Sequence, residues 1–157
     1  MKTQPTESEH VPTEAHWLGY AGLLPQLLAV AGALHEGEWR WMAQAAGFAY
    51  AALIFSFLGG IWWGQAITSK RPPKWVFAIS VIPSLIALAL FLPWVMGWNW
   101  PGPSLLWLGL LIALSPIVDR RLGLSAPGFM RLRVHLSIGL GALTIVLGAV
   151  TLATATF

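Results

Sequence analysis

The stretch 75–98, WVFAISVIPSLIALALFLPWVMGW, runs for 24 residues without a charged side chain. A helix needs about 20 mostly apolar residues to cross the hydrocarbon core of a bilayer. The stretch lies between a basic segment with two prolines (70–74, KRPPK) and the turn 101–103 (PGP). Because proline removes an N–H donor and clashes with the preceding turn, both flanks interrupt helices. The pattern therefore predicts a transmembrane helix with defined ends.

Similar apolar runs lie on both sides of this stretch. The whole chain has 157 residues, of which 57% are hydrophobic and 10% charged, whereas soluble domains carry about 25% charged residues. Ten tryptophans are typical of chains whose rings lie where lipid meets water. We predict an all-α integral membrane protein, a five-span transmembrane helix bundle. The predicted spans are about 17–34, 41–67, 75–98, 104–118 and 132–155, which together form a domain over 17–157.

The charges predict the orientation of these spans. If five spans alternate in direction, eight of the nine Lys and Arg residues fall on the side of the N-terminus, and only Arg40 falls on the other. Basic residues accumulate on the cytoplasmic side of membrane proteins. We therefore expect a cytoplasmic N-terminus and a periplasmic C-terminus.

Residues 1–16 (MKTQPTESEHVPTEAH) are polar and include three Glu and two Pro. They lack the apolar centre of a signal peptide and the Arg-rich, acid-poor composition of a transit peptide. We interpret them as a disordered cytoplasmic tail. The expected location is the bacterial cytoplasmic (inner) membrane, crossed several times.

Three motifs carry a resemblance to a known family: LGYAGLLP at 18–25, SFLGGIWWG at 56–64 and SVIPSL at 80–85. With the pair Leu132–Arg133, they resemble the domain of unknown function 3429 family, the transmembrane protein 69-like proteins. The resemblance covers roughly 17–150 and implies no established activity. Many relatives have His where this chain has Trp62, so a role of that His does not transfer.

Small residues recur at helical spacing in three of the predicted spans. Small side chains let membrane helices approach closely, and we interpret these residues as packing sites within the bundle. The alternative is a docking face for another protein. The residues are Gly19, Gly22, Ser56, Gly60, Gly64, Gly141 and Gly148.

A pocket in the cytoplasmic half of the bilayer is a second hypothesis. Pro25 and Pro83 each lie about eight residues from the cytoplasmic end of a span, roughly 12 Å deep, and prolines kink helices and line cavities. Ordinary kinked packing is the alternative. Arg133 is either an anchor at the membrane surface or a ligand for an anionic group. The candidate lining residues are Gln26, Ser56, Trp63, Ser80, Ser84, Arg133 and His135.

No catalytic pattern stands out. The chain has no Cys, none of the common nucleophile, zinc or phosphate-binding motifs occurs, and no carboxylate falls inside a predicted span. The last point argues against an ion pump. An axial pair for haem from His16 and His135 lacks an orienting carboxylate. We therefore expect no catalytic residues, no metal and no cofactor.

These observations favour a non-enzymatic accessory or assembly subunit that packs against a larger membrane complex. The alternative is a protein that binds or transports a small molecule, lipid or quinone through the cytoplasmic-half pocket. A membrane enzyme comes third. The expected partners are membrane lipid and other integral membrane proteins, and nucleic acid is not expected because the basic residues lie between apolar runs.

Overall fold

The computed structural model describes residues 12–125 and 127–154, and the regular structure in these ranges is entirely helical. The helices are α1 (Thr13–Ala21), α2 (Leu24–Ala33), α3 (Glu38–Thr68), α4 (Val76–Val95), α5 (Gly102–Leu122) and α6 (Pro127–Thr154). Four of them, α3 to α6, are long and apolar enough to cross a membrane. The predicted membrane-protein class agrees with this architecture.

The first predicted span is divided into two short helices. Gly22 and Leu23 separate α1 from α2, and Pro25 follows in the first turn of α2. Because Pro25 has no N–H, it cannot donate to the carbonyl of Ala21, and the helical hydrogen-bond ladder is interrupted there. Helix α1 also begins at Thr13, so residues 13–16 are helical where a disordered tail was predicted. The rest of that tail, residues 1–11, lies outside the described residues.

Helices α5 and α6 pack closely through two glycines. A Cβ built on Gly109 would lie 2.7 Å from the carbonyl oxygen of Gly141, and one on Gly141 would lie 2.6 Å from that of Gly109. A real Cβ atom essentially never comes so near. Glycine at both positions therefore allows the two backbones to meet, as small residues do at membrane helix interfaces.

Helices α1 and α2 follow α6 in the same direction. Gly19 lies against Leu136, Leu23 against Gly139, and Gln26 Nε2 donates to Thr144 Oγ1 over 3.1 Å. Residue numbers in these contacts therefore increase in the same order along α1–α2 and along α6, which means that the two segments run parallel. The start of α1 and the start of α6 consequently lie at the same end of the bundle.

That end also holds the connections from α3 to α4 and from α5 to α6. Gln65, near the end of α3, donates to Ser125 after α5, and Trp63 packs edge-on against Phe77 at the start of α4. We call it the basic end, because six exposed cationic residues cluster there: Lys70, Arg71, Lys74, Arg120, Arg121 and Arg131.

Candidate functional site

A buried ion pair lies near the basic end, between α5 and α6. Arg133 Nε donates to Asp119 Oδ2 over 2.5 Å, and the two residues are only 5% and 2% exposed. Trp62 of α3 donates through its indole Nε1 to Asp119 Oδ1 over 2.6 Å. One carboxylate thus links three long helices, with a separate donor on each oxygen.

The local sequence explains where helix α5 ends and therefore how the Asp119 carboxylate is positioned. Helix α5 ends at Leu122, and Gly123 takes the left-handed conformation (φ 62°) that lets its N–H reach the carbonyl of Asp119. Such a glycine is a common helix terminator. The predicted span ended at Val118, whereas the helix continues one turn further and carries Asp119 into the protein interior.

One expectation is corrected here: Asp119 was predicted to lie just outside a span, but it is buried and paired. Of the two roles considered for Arg133, a surface anchor or a ligand for an anionic group, its buried pairing with the Asp119 carboxylate favours the second. A sequence signal was present, since Asp119 continues a stripe of alternating three- and four-residue steps along one helix face. The stripe is buried throughout: Leu105, Leu108, Ile112, Ser115, Asp119 and Leu122.

Arg133 is not fully satisfied by this pair. Its Nη2 atom is buried and has no hydrogen-bond partner among the described residues. An unmet buried donor costs roughly 1–3 kcal/mol, and more when it is charged. Within the part of the chain that the structure describes, no acceptor is thus supplied for this buried arginine donor.

Arg133 lines an apolar cavity of about 310 Å³ between α1, α3 and α6. Its walls are mostly aliphatic, including Leu18, Leu23, Ile54, Leu58, Leu132 and Leu136. Along α6 the lining extends from Phe129 to Leu140, roughly 16 Å at the rise of an α-helix. The cavity is therefore an elongated apolar slot with a cationic side chain near its basic end.

Tyr50 lines the part of this slot that lies away from the basic end. It lines the cavity, and its hydroxyl donates to the carbonyl of Gly22, which lies at the break between α1 and α2. The side chain therefore joins α3 to the interrupted segment and forms part of the cavity wall.

The predicted pocket residues do not come together. Of the seven, only Arg133 lines this cavity, while Ser56 and Ser84 line a separate groove between α3 and α4. Gln26 and Ser80 are buried in other contacts, whereas Trp63 and His135 are exposed. The sequence pattern did not assign the helix face of these candidates.

The predicted packing glycines are also divided. Gly19, Gly141 and Gly148 lie against other helices, and Gly22 lies near Tyr50. A Cβ added at Gly60 or Gly64 would meet no described atom within 4 Å, so their predicted role within the bundle is not seen. Their neighbour Gly59 instead faces α4, where an added Cβ would overlap the carbonyl of Ser80. Ser56 is half-buried on the same helix.

Within the described ranges, no group of three or more His, Asp or Glu side chains could hold a metal ion. His16, His35 and His135 are each exposed. The polar chemistry of the site therefore comes from the Asp119–Arg133 pair and its neighbours.

Comparison with known proteins assigns the chain to a family. The family described as "Protein of unknown function (DUF3429)" matches residues 11–150. The chain belongs to this family. Within 79 residues it is 39% identical to "Transmembrane protein 69" of Xenopus tropicalis, an alignment that covers 48% of the chain and 31% of the relative. The chain thus spans about a third of that relative's length, and no solved structure matches it.

Proposed function

We propose that this member of the family is a multi-pass membrane protein that binds an amphiphilic small molecule. The apolar part of the guest lies in the slot between α1, α3 and α6, and its polar end accepts a hydrogen bond from Arg133. The observation that supports this proposal is the unpartnered Nη2 of a buried arginine at the wall of an apolar cavity.

The size and chemistry of the slot suit such a guest. Ligand cavities commonly measure about 300–1,000 Å³ and combine apolar walls with a few polar groups that set orientation. This one holds about 310 Å³. A guest that enters from the bilayer is already in an apolar medium, so the slot holds its apolar part by packing, and the free Nη2 supplies a hydrogen bond that favours one orientation.

We further propose five membrane crossings with the basic end in the cytoplasm. Together α1 and α2 cover residues 13–33, roughly 31 Å at 1.5 Å per residue, and they run beside α6 in the same direction. These features support a kinked fifth crossing. The cationic residues of the basic end support a cytoplasmic orientation.

A photoactivatable probe tests the binding proposal. A palmitoyl methyl ester carrying a diazirine on its chain is added to the protein in lipid nanodiscs, irradiated, and located by peptide mass spectrometry. We expect labelling in α1, α3 and α6 that unlabelled methyl palmitate displaces. Labelling spread over all lipid-facing helices, without displacement, would contradict the proposal.

Two matched variants sharpen this test. Leu136→Trp adds bulk to the cavity wall and should remove most of the displaceable labelling. Ile138→Trp, two residues further along α6, adds a similar bulk at a position 53% exposed and should leave the labelling intact. Equal labelling of the two variants would show that the probe does not occupy the slot.

The accessory role predicted from the sequence is the second candidate. It is favoured by Gly60 and Gly64, which lie four residues apart on an open face of α3, the spacing at which membrane helices from separate chains pack. Purification in mild detergent should then recover an integral membrane partner in constant ratio. Gly60→Leu should release that partner without unfolding the chain, and retention of the partner would contradict this role.

A further inference from the structure

The ion pair has a consequence for the charge of the guest, because Asp119 already neutralises Arg133. The carboxylate and guanidinium are 2.5 Å apart and both are buried. We infer that the slot is selective for a guest whose buried polar group is an uncharged acceptor, such as an ester or quinone carbonyl. This inference rests on the binding function proposed above.

The charge balance is the first argument. The Asp119–Arg133 pair has a net charge of zero. An anionic headgroup beside it would give this apolar site a net charge of minus one. An unpaired buried ion is strongly unfavourable, since nothing replaces its hydration. The other cations of the basic end, such as Arg131, are exposed, where solvent and salt weaken their effect on a buried charge.

The geometry of the guanidinium is the second argument. Arginine binds carboxylates and phosphates best through two parallel hydrogen bonds from its planar fork. Here Nε is already engaged by Asp119, and Trp62 occupies the other carboxylate oxygen, so the fork that includes Nε cannot bind a second carboxylate through two hydrogen bonds. A single carbonyl oxygen is able to accept a hydrogen bond from the unpartnered Nη2.

The selectivity is measured first on the unmodified protein. Methyl palmitate and palmitate each compete with the diazirine ester in nanodiscs. The pH is about 9, well above the usual carboxyl pKa of about 4.3, so that palmitate is ionised. The amount of each competitor is expressed as its mole fraction in the disc. We expect the ester to displace the probe at a fraction at least about tenfold lower, which corresponds to about 1.4 kcal/mol. Equal or better displacement by palmitate would overturn the inference while leaving the binding function in place. Displacement by neither would overturn both.

A third competitor distinguishes two sources of the same carbonyl chemistry. A decyl-substituted benzoquinone presents ring carbonyls, whereas methyl palmitate presents an ester like that of a lipid. Stronger displacement by the quinone would assign the slot to a quinone, and stronger displacement by the ester would assign it to an acyl ester. Both results agree with an uncharged acceptor.

A charge substitution then reverses the expected preference. Asp119→Asn keeps an oxygen acceptor for Trp62 but leaves Arg133 without a counter-charge, so palmitate should displace the probe better than the ester does. Glu38→Gln removes an exposed carboxylate from the first turn of α3 and should leave the preference unchanged. If folded Asp119→Asn protein still prefers the ester, the charge argument is wrong. If the variant does not fold, the comparison on the unmodified protein decides.

Discussion

Arg133 illustrates how one side chain carries two roles, pairing with Asp119 through Nε and leaving Nη2 free. In Arg133→Lys the ammonium keeps the buried charge pair, but the planar group that holds a second donor at the Nη2 position is lost. We expect normal accumulation in the membrane and a loss of displaceable probe labelling of about tenfold or more, the effect of one hydrogen bond to a charged group.

The control for this change is Arg131→Lys, an exposed position two residues earlier on α6. It should retain both accumulation and labelling. Unchanged probe displacement in Arg133→Lys would show that Nη2 does not contact the guest, and Arg133 would then be a purely structural partner of Asp119.

Trp62 is a second test at the level of single residues. Trp62→Phe leaves Oδ1 of the buried Asp119 without its donor, so we expect a loss of roughly 1–3 kcal/mol of stability. Thermal unfolding in detergent measures it as a lower Tm. Trp63→Phe changes the same residue type at an exposed neighbouring position and should have little effect. Similar Tm values for the two variants would mean that the indole hydrogen bond adds no stability.

At the level of elements, α3 shows that two adjacent residues of one helix differ in environment, since the first packs against α4 and the second faces open space. A methyl group on Gly59 would overlap the Ser80 carbonyl of α4, whereas one on Gly60 meets open space. Gly59→Ala should therefore cost about 1–3 kcal/mol, and Gly60→Ala should be neutral or stabilise helix α3 by up to about 1 kcal/mol. Detergent unfolding curves compare them, and a larger loss for Gly60→Ala would contradict this assignment of faces.

For the whole molecule, the orientation of the bundle is the property to test. Charges at the basic end predict that a reporter inserted in the connection 70–74 is cytoplasmic. A kinked α1–α2 crossing predicts that a reporter fused after Phe157 lies on the opposite side. Each reporter is a fused enzyme that is active on only one side of the membrane, and its activity is measured. A connection reporter on the non-cytoplasmic side would invert the proposed orientation.

The apolar runs, their ends and the charge asymmetry were readable from the sequence alone. They are one-dimensional properties, because a run of about 20 apolar residues crosses a bilayer whatever its neighbours are, and Pro or Gly interrupts a helix locally. Helices α3, α4, α5 and α6 accordingly lie where spans were predicted, with ends shifted by up to five residues. Arg133 was also among the candidates for the pocket.

Only the tertiary structure decided which face of each helix is inside. Gly59 and Gly60 are identical residues in one helix, and the position of α4 alone determines which of them packs. Asp119 and Arg133 lie 14 residues apart on separate helices, so their pairing depends on the close approach of α5 and α6. A buried charge is stable only beside its partner, and that partner is chosen by helix packing in three dimensions.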